Sequence, residues 1–168
     1  LSPIYNKNLL FLENSEVKKV LMQNSLIESL SLKKKYPSTL KIKIFEKKPI
    51  AILLIKDKKF YLSEKIDLIE FKNLPNYKSL PHIFGNKDDF KIFYQNLKKM
   101  NFPLNIIAKY TLYKTNRWDL ETKTNQVIKL PHKNYIKSLE SYLNLKSKSG
   151  FEKYKLFDYR ISNQLILK

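Results

Sequence analysis

The chain has 168 residues and a formal net charge of +18 at pH 7, and its length is enough to bury a substantial core in one or two small domains. It contains no cysteine, which excludes thiol catalysis and cysteine-based metal sites. Its longest apolar run, residues 50–55, is far shorter than the roughly 20 residues that cross a bilayer, and no signal peptide is visible. Only two of the 33 basic residues are arginine, whereas specific contacts to phosphates and bases favour the guanidinium group. The charge therefore indicates a solvated surface more strongly than a nucleic-acid-binding surface.

The first third of the chain predicts one helix and three strands. A helix that begins at Asn14 or Ser15 would place Val17, Val20 and Leu21 on one face. The predicted strands are Leu26 to Leu32, Leu40 to Glu46 and Ile50 to Ile55. The second strand alternates apolar and polar residues, which is typical of a strand with one face on a core, and the third is apolar throughout, which indicates cover on both faces.

Three lysines, residues 33–35, stand immediately before a Tyr-Pro turn at Tyr36 and Pro37. Such a run is usually the solvated end of a hairpin. Contact with anionic lipid headgroups would need a denser cluster of charge than this segment alone provides.

The rest of the chain alternates short strands with two helices. Phe60 to Leu62 and Ile66 to Phe71 predict a meander, and Asn73 to Pro81 predicts a loop. One helix is predicted from Asp88 or Asp89, with Phe90, Phe93 and Leu97 on its apolar face; the other carries Tyr135, Ile136, Leu139, Tyr142 and Leu143. Further strands are predicted at Ile106 to Tyr113, Arg117 to Thr122, Gln126 to Leu130, Lys153 to Tyr159 and Gln164 to Lys168. With no parallel βαβ signature, the pattern predicts an α+β fold.

Five short motifs occur in a specific order along the chain. They are Tyr36-Pro37 with Glu46, Pro49 and Ala51; Leu80, Pro81 and Gly85; Arg117, Trp118, Asp119 and Leu120; Leu130 and Pro131; and Phe157, Asp158, Tyr159 and Arg160. In this order they resemble the extracytoplasmic part of the FtsQ/DivIB family of bacterial cell-division proteins.

The resemblance implies two domains. Residues 1–50 would form a partial POTRA domain whose first strand and helix precede this chain, with residue 1 near the end of that helix. Residues 51–168 would form the β domain, a mixed or antiparallel sheet with two packed helices. The parent protein would be anchored in the inner membrane by one preceding helix, with this part in the periplasm at the division septum.

The resemblance also implies a non-enzymatic scaffold that recruits FtsB-like and FtsL-like partners. In this family the carboxy-terminal strands of the β domain bind FtsB by strand addition, a mode that uses the unpaired backbone groups of an edge strand. Carried over by position, the predicted partner-binding residues are Arg117, Arg160, Ile161, Ser162, Asn163, Gln164, Leu165 and Ile166. For Arg160, an internal ion pair with Asp158 or another acid is an equal alternative.

No catalytic, cofactor or metal site is predicted. Gly85 and Gly150 stand alone, so no glycine-rich phosphate loop exists. His82 and His132 each follow a proline, lie far apart and have no accompanying nucleophile elbow. Two alternatives to the scaffold remain open: a POTRA-containing component of outer-membrane assembly or secretion, and a basic nucleic-acid-binding protein with exposed aromatics between its lysines.

Overall fold

A computed structural model describes residues 8–168 of the chain. The first unit is a helix on a two-stranded antiparallel sheet: α1 spans Asn14–Leu21, β1 Ile27–Lys35 and β2 Thr39–Glu46. Val17 of α1 is fully buried in a cluster that includes Leu32 of β1 and Ile42 of β2. The alternation in β2 was therefore predicted correctly, although Ile44 is 44% exposed at the far end of the strand. The expected position of residue 1 near the end of a helix lies outside the described residues.

The remaining strands form one mixed, nine-stranded sheet in the order β11-β10-β9-β8-β7-β6-β3-β4-β5. Their bounds are β3 Pro49–Ile55, β4 Lys58–Ser63, β5 Leu68–Glu70, β6 His82–Phe84, β7 Ile107–Leu112, β8 Trp118–Thr122, β9 Val127–Lys129, β10 Leu156–Asp158 and β11 Ile166–Leu167. Two further helices, α2 (Lys87–Lys99) and α3 (Tyr135–Lys146), connect strands of this sheet. The α+β fold with a mixed sheet and two packed helices is confirmed.

Parallel strand pairs correct one expectation from the sequence. Strands β6 and β7, which α2 connects, are parallel, and so are β9 and β10, which α3 connects. The expected absence of parallel βαβ units was therefore wrong. The reason is the length of β6: three residues at the end of a proline-containing loop give no readable period.

Both helices lie on one face of the large sheet. Phe90 and Phe93 of α2 and Tyr142 of α3 pack in the same core as the inward residues of the central strands, Tyr110, Leu120, Ile128 and Phe157. Helix α2 starts earlier than predicted, because Asn86 is its N-cap and accepts a hydrogen bond from the Asp89 N–H at 2.9 Å. Trp118 is a core anchor, stacked on Phe93 with ring centroids 4.9 Å apart.

The opposite face of the large sheet has apolar cover at one end. Ile52, Tyr61 and Ile69 form a cluster there with Leu26, which precedes β1, and with residues of the loop after β5. Towards β11 the same face carries charged side chains instead, and these form the candidate site.

Candidate partner-binding edge

Strand β11 lies at one edge of the nine-stranded sheet, with β10 as its neighbour. The Lys168 N–H donates to the Leu156 carbonyl at 3.2 Å and the Leu156 N–H donates to the Lys168 carbonyl at 3.0 Å. In an antiparallel ladder such exchanging pairs alternate with pairs that exchange no hydrogen bonds. Leu167, opposite Phe157, therefore directs its N–H and C=O away from β10, towards the open edge.

The segment that connects β10 to β11 is exposed. Asn163 has φ +60°, in the left-handed region, and the Gln164 N–H donates to the Ile161 carbonyl at 3.2 Å. This turn delays the final strand, which begins at Ile166 and not at Gln164 as predicted. Leu165 is half-buried against the core, whereas Ile161 is 53% exposed. The remaining predicted residues of this segment, Arg160, Ser162, Asn163, Gln164 and Ile166, are also exposed.

Arg160 forms an ion pair with Asp158. Its Nε donates to both carboxylate oxygens, at 2.8 and 2.9 Å, and its Nη2 donates to Oδ2 at 2.6 Å. The carboxylate is buried, and hydrogen bonds from Arg160 hold the pKa of Asp158 below its usual range. The internal ion pair considered from the sequence is therefore present, and it leaves the Arg160 side chain 43% exposed.

Arg117 is held in a similar way. Its Nε donates to Oδ1 of Asp119 at 3.2 Å, and its guanidinium lies 4.4 Å from the centre of the Tyr113 ring. The Asp119 side chain is buried, and burial raises the pKa of this carboxyl while the charge and hydrogen bond of Arg117 oppose that effect. Arg117 is less accessible than Arg160, with 21% of its side chain exposed.

The two ion pairs belong to one charged row across three strands. Lys129 of β9 lies opposite Asp119 of β8 on one side and opposite Asp158 of β10 on the other. Burial raises the pKa of Asp119, and the charges of Lys129 and Arg160 oppose that rise together with Arg117. Arg117 and Arg160, both predicted as partner-binding residues, are 43 residues apart in sequence. The structure brings them to one end of a single sheet face.

Three members of this row, Asp119, Lys129 and Asp158, were not among the predicted binding residues. A local signal existed for the aspartates. Each arginine stands two residues from an aspartate within or beside a predicted strand, and side chains two apart in a strand share a face. Lys129 had no such signal, because its place opposite both aspartates depends on the order of the strands.

A surface cavity of about 450 Å³ lies beside the connecting segment. It is lined by that segment, by the turn before α3 and by the first half of α3, including Lys133, Lys137, Tyr159, Ile161 and Leu165. The Tyr159 ring is buried, and burial raises the pKa of its hydroxyl. The cavity is large enough for one or two side chains of a bound segment.

The edge combines unpaired backbone groups with exposed charged and apolar side chains. Among residues 8–168, the histidine, aspartate and glutamate side chains form no group of three or more that could hold a metal ion. The His132 Nδ1 lies 2.9 Å from the Asn116 carbonyl, and burial lowers the pKa of His82 in β6. None of the helices within the described part of the chain is long and apolar enough to cross a membrane.

Comparison with known families gives a match in the first unit. Residues 2–47 match the family described as the POTRA domain, FtsQ-type. This range ends one residue after β2, so it contains the described helix and two-stranded sheet.

Curated relatives extend the similarity over almost the whole chain. The chain is 30% identical to the cell division protein FtsQ of Rickettsia conorii over 167 residues, which cover 97% of this chain and 60% of that protein. It is 31% identical to FtsQ of Rickettsia bellii over 153 residues, or 89% of this chain and 57% of that protein. FtsQ of Cellvibrio japonicus is 30% identical over 84 residues, half of this chain. The chain spans about three fifths of the length of the Rickettsia relatives.

Proposed function

Because the chain belongs to the FtsQ family of cell-division proteins, we propose that it is a non-enzymatic scaffold that recruits FtsB-like and FtsL-like partners by strand addition at β11. The observation that carries the proposal is the outward direction of the Leu167 backbone groups at the open edge of the large sheet. Leu165, two residues earlier, packs against the core as Leu167 does, and in this proposal it presents its N–H and C=O to the added strand.

Side chains beside the edge would give the added strand its specificity. Ile166 is 39% exposed and Ile161 53% exposed, so both offer apolar area next to the backbone groups. The cavity lined by Lys133, Lys137 and Tyr159 would accept a side chain of the added strand, since such strands place alternate residues into pockets.

The two arginines have different roles in this proposal. Arg160 is paired with Asp158 but 43% exposed, so an acidic partner residue can approach it. Arg117 is fixed between Asp119 and Tyr113 and acts mainly by holding the charged row in place.

We extend the proposal to the parent protein. Residues 1–50 would be the partial POTRA domain and residues 51–168 the β domain. The parent protein would be anchored in the inner membrane by a single helix, with this part in the periplasm and concentrated at the division septum.

The test is a binding titration of the chain against the extracytoplasmic segment of an FtsB-like partner, at low and at moderate salt, with random DNA as a parallel ligand. We expect saturable partner binding that persists at moderate salt, because backbone hydrogen bonds and apolar contacts are screened little. Binding to DNA alone, with steep loss in salt, would replace the proposal with the nucleic-acid-binding alternative.

A further inference from the structure

The hairpin of β1 and β2 has one face that carries four lysines and no acid. Lys33 lies opposite Lys41, Lys43 lies opposite Ser31, and Lys35 lies opposite Thr39. Because side chains alternate along a strand, these residues share one face, and Leu32, Leu40 and Ile42 lie on the other, against α1. We call Lys33, Lys35, Lys41 and Lys43 the lysine face; all four side chains are exposed.

The lysine face contains an unfavourable pair. Lys33 and Lys41 are direct cross-strand partners, and like charges in that arrangement destabilise a two-stranded sheet. On this face the neighbouring positions, Ser29, Ser31 and Thr39, carry no compensating charge. A bound anion would remove the repulsion, so the arrangement is complementary to a negatively charged surface.

The shape of the lysine face matches an extended surface better than a single acidic side chain. A strand of eight residues such as β2 is about 25 Å long, and the four lysines lie on both strands between the register positions of Thr39 and Lys43, roughly half of that length. Lysine also carries its charge as a compact ammonium group on a flexible stem, without the planar fork that arginine uses to grip one carboxylate.

Two exposed aromatic residues flank the lysine face. Tyr36, 58% exposed, lies at the tip of the hairpin, and Phe45, 45% exposed, continues the lysine face along β2 with the Lys43 Nζ 5.0 Å from its ring centre. Amphipathic aromatic rings next to lysines are typical of segments that lie at the headgroup level of a bilayer.

From these observations we propose that the lysine face docks on the anionic phospholipid headgroups of a membrane. Residues 33–35 are three adjacent lysines. Pairing β1 with β2 adds Lys41 and Lys43 and supplies the clustering of charge that this local run lacked. The proposal does not depend on partner binding at β11, which belongs to the other sheet.

The test is cosedimentation of the full chain with vesicles of phosphatidylglycerol and phosphatidylcholine, and with vesicles of phosphatidylcholine alone. We expect binding to the anionic vesicles that weakens with salt. A variant with Gln at all four positions of the lysine face should bind more weakly by on the order of several hundred-fold, from roughly five-fold for each lysine near an anionic surface. A matched control replaces four exposed lysines elsewhere, Lys78, Lys91, Lys114 and Lys148, with Gln and should lose far less binding.

A second variant separates docking from folding. Lys41→Glu places an acid opposite Lys33 and should raise the unfolding temperature while it weakens vesicle binding by about 25-fold, because the local charge changes by two units. Equal vesicle binding by the four-residue variant and its matched control would overturn the proposal. So would binding of the lysine face to random DNA or to a polyglutamate peptide with no binding to anionic vesicles.

Discussion

Asp158 and Arg160, two residues apart at the end of β10, form an ion pair in which Nη2 lies 2.6 Å from Oδ2 and Nε lies within 2.9 Å of both carboxylate oxygens. The pair lies directly beside the proposed binding edge. Asp119 and Arg117 form the corresponding pair on β8. The pKa of the Asp158 carboxyl is nevertheless lowered, whereas the pKa of the Asp119 carboxyl is raised.

Acid titration should show opposite contributions from the two aspartates. The folded-state pKa of Asp158 lies below its unfolded value, so its contribution to stability is present above the unfolded pKa, near 4, and is lost as pH falls through the folded pKa. The pKa of Asp119 is raised, so folding binds a proton there and stability rises as pH falls towards the unfolded pKa.

Urea unfolding across the acid range would measure both effects. We expect Asp158→Asn to flatten the acid loss of stability and Asp119→Asn to steepen it. Parallel pH profiles for the two variants would contradict the assignment of opposite pKa shifts.

Partner binding should depend on one backbone N–H. Leu165→Pro removes a donor that a partner strand would use, so titration calorimetry with the FtsB-like segment should show no binding, while the first unit of the chain stays folded. Leu165→Ala is the matched control: it loses a half-buried side chain but keeps the donor, and it should retain most of the affinity. Unchanged binding by the proline variant would exclude strand addition at this edge.

Gly85 should not tolerate a side chain. A Cβ at this position would lie 2.8 Å from the Leu112 Cβ and 3.3 Å from the Trp118 ring, so Gly85→Ala should lower the free energy of unfolding by about 1–3 kcal/mol. Trp118 is the single tryptophan, and its fluorescence reports unfolding directly.

Gly150 provides the comparison. No heavy atom lies within 4 Å of a Cβ there, but its φ is +90°, so Gly150→Ala should cost about 1 kcal/mol from backbone strain alone. If the two variants unfold at the same urea concentration, the close contacts of Gly85 with Leu112 and Trp118 do not determine the loss of stability in Gly85→Ala.

A buried hydrogen bond joins α3 to the sheet. The Tyr142 hydroxyl donates to Oε1 of Gln126 at 2.9 Å, and Nε2 of Gln126 donates to the Tyr154 carbonyl at 3.1 Å. Tyr142→Phe leaves the Gln126 acceptor without this donor and should lower the free energy of unfolding by about 1–3 kcal/mol. Chemical denaturation at neutral pH would measure the loss, with Tyr113→Phe, at an exposed ring, as the control.

The same tyrosine should contribute to alkaline unfolding. Burial raises the pKa of Tyr142 to about 12, above the value near 10 of an unfolded tyrosine. The folded state therefore keeps the proton longer, and stability should fall as pH rises from about 10 to 12. A shallower fall in Tyr142→Phe would confirm this; an identical slope would assign the effect to other groups.

Much of the candidate edge could be predicted from the sequence. The motif that ends in Arg160 marked this segment, and residues 160–164 are exposed; their part in partner binding stays a prediction. The charged row could be predicted only in part. Each Asp–Arg pair is local in sequence, whereas Lys129 joins the two pairs only because β9 lies between β8 and β10.

The sequence by itself determined the helices, most strands and the family. Apolar periods of 3.6 and 2 are local properties, and they marked α2, α3 and β2 without any knowledge of their neighbours. The tertiary structure decided which strands became neighbours. It thereby decided the parallel pairs β6–β7 and β9–β10, the charged row and the lysine face. The parallel pairs and the charged row depend on contacts between residues distant in sequence, which leave no local pattern, and the lysine face depends on the register of a hairpin, which is set by burial of its other face.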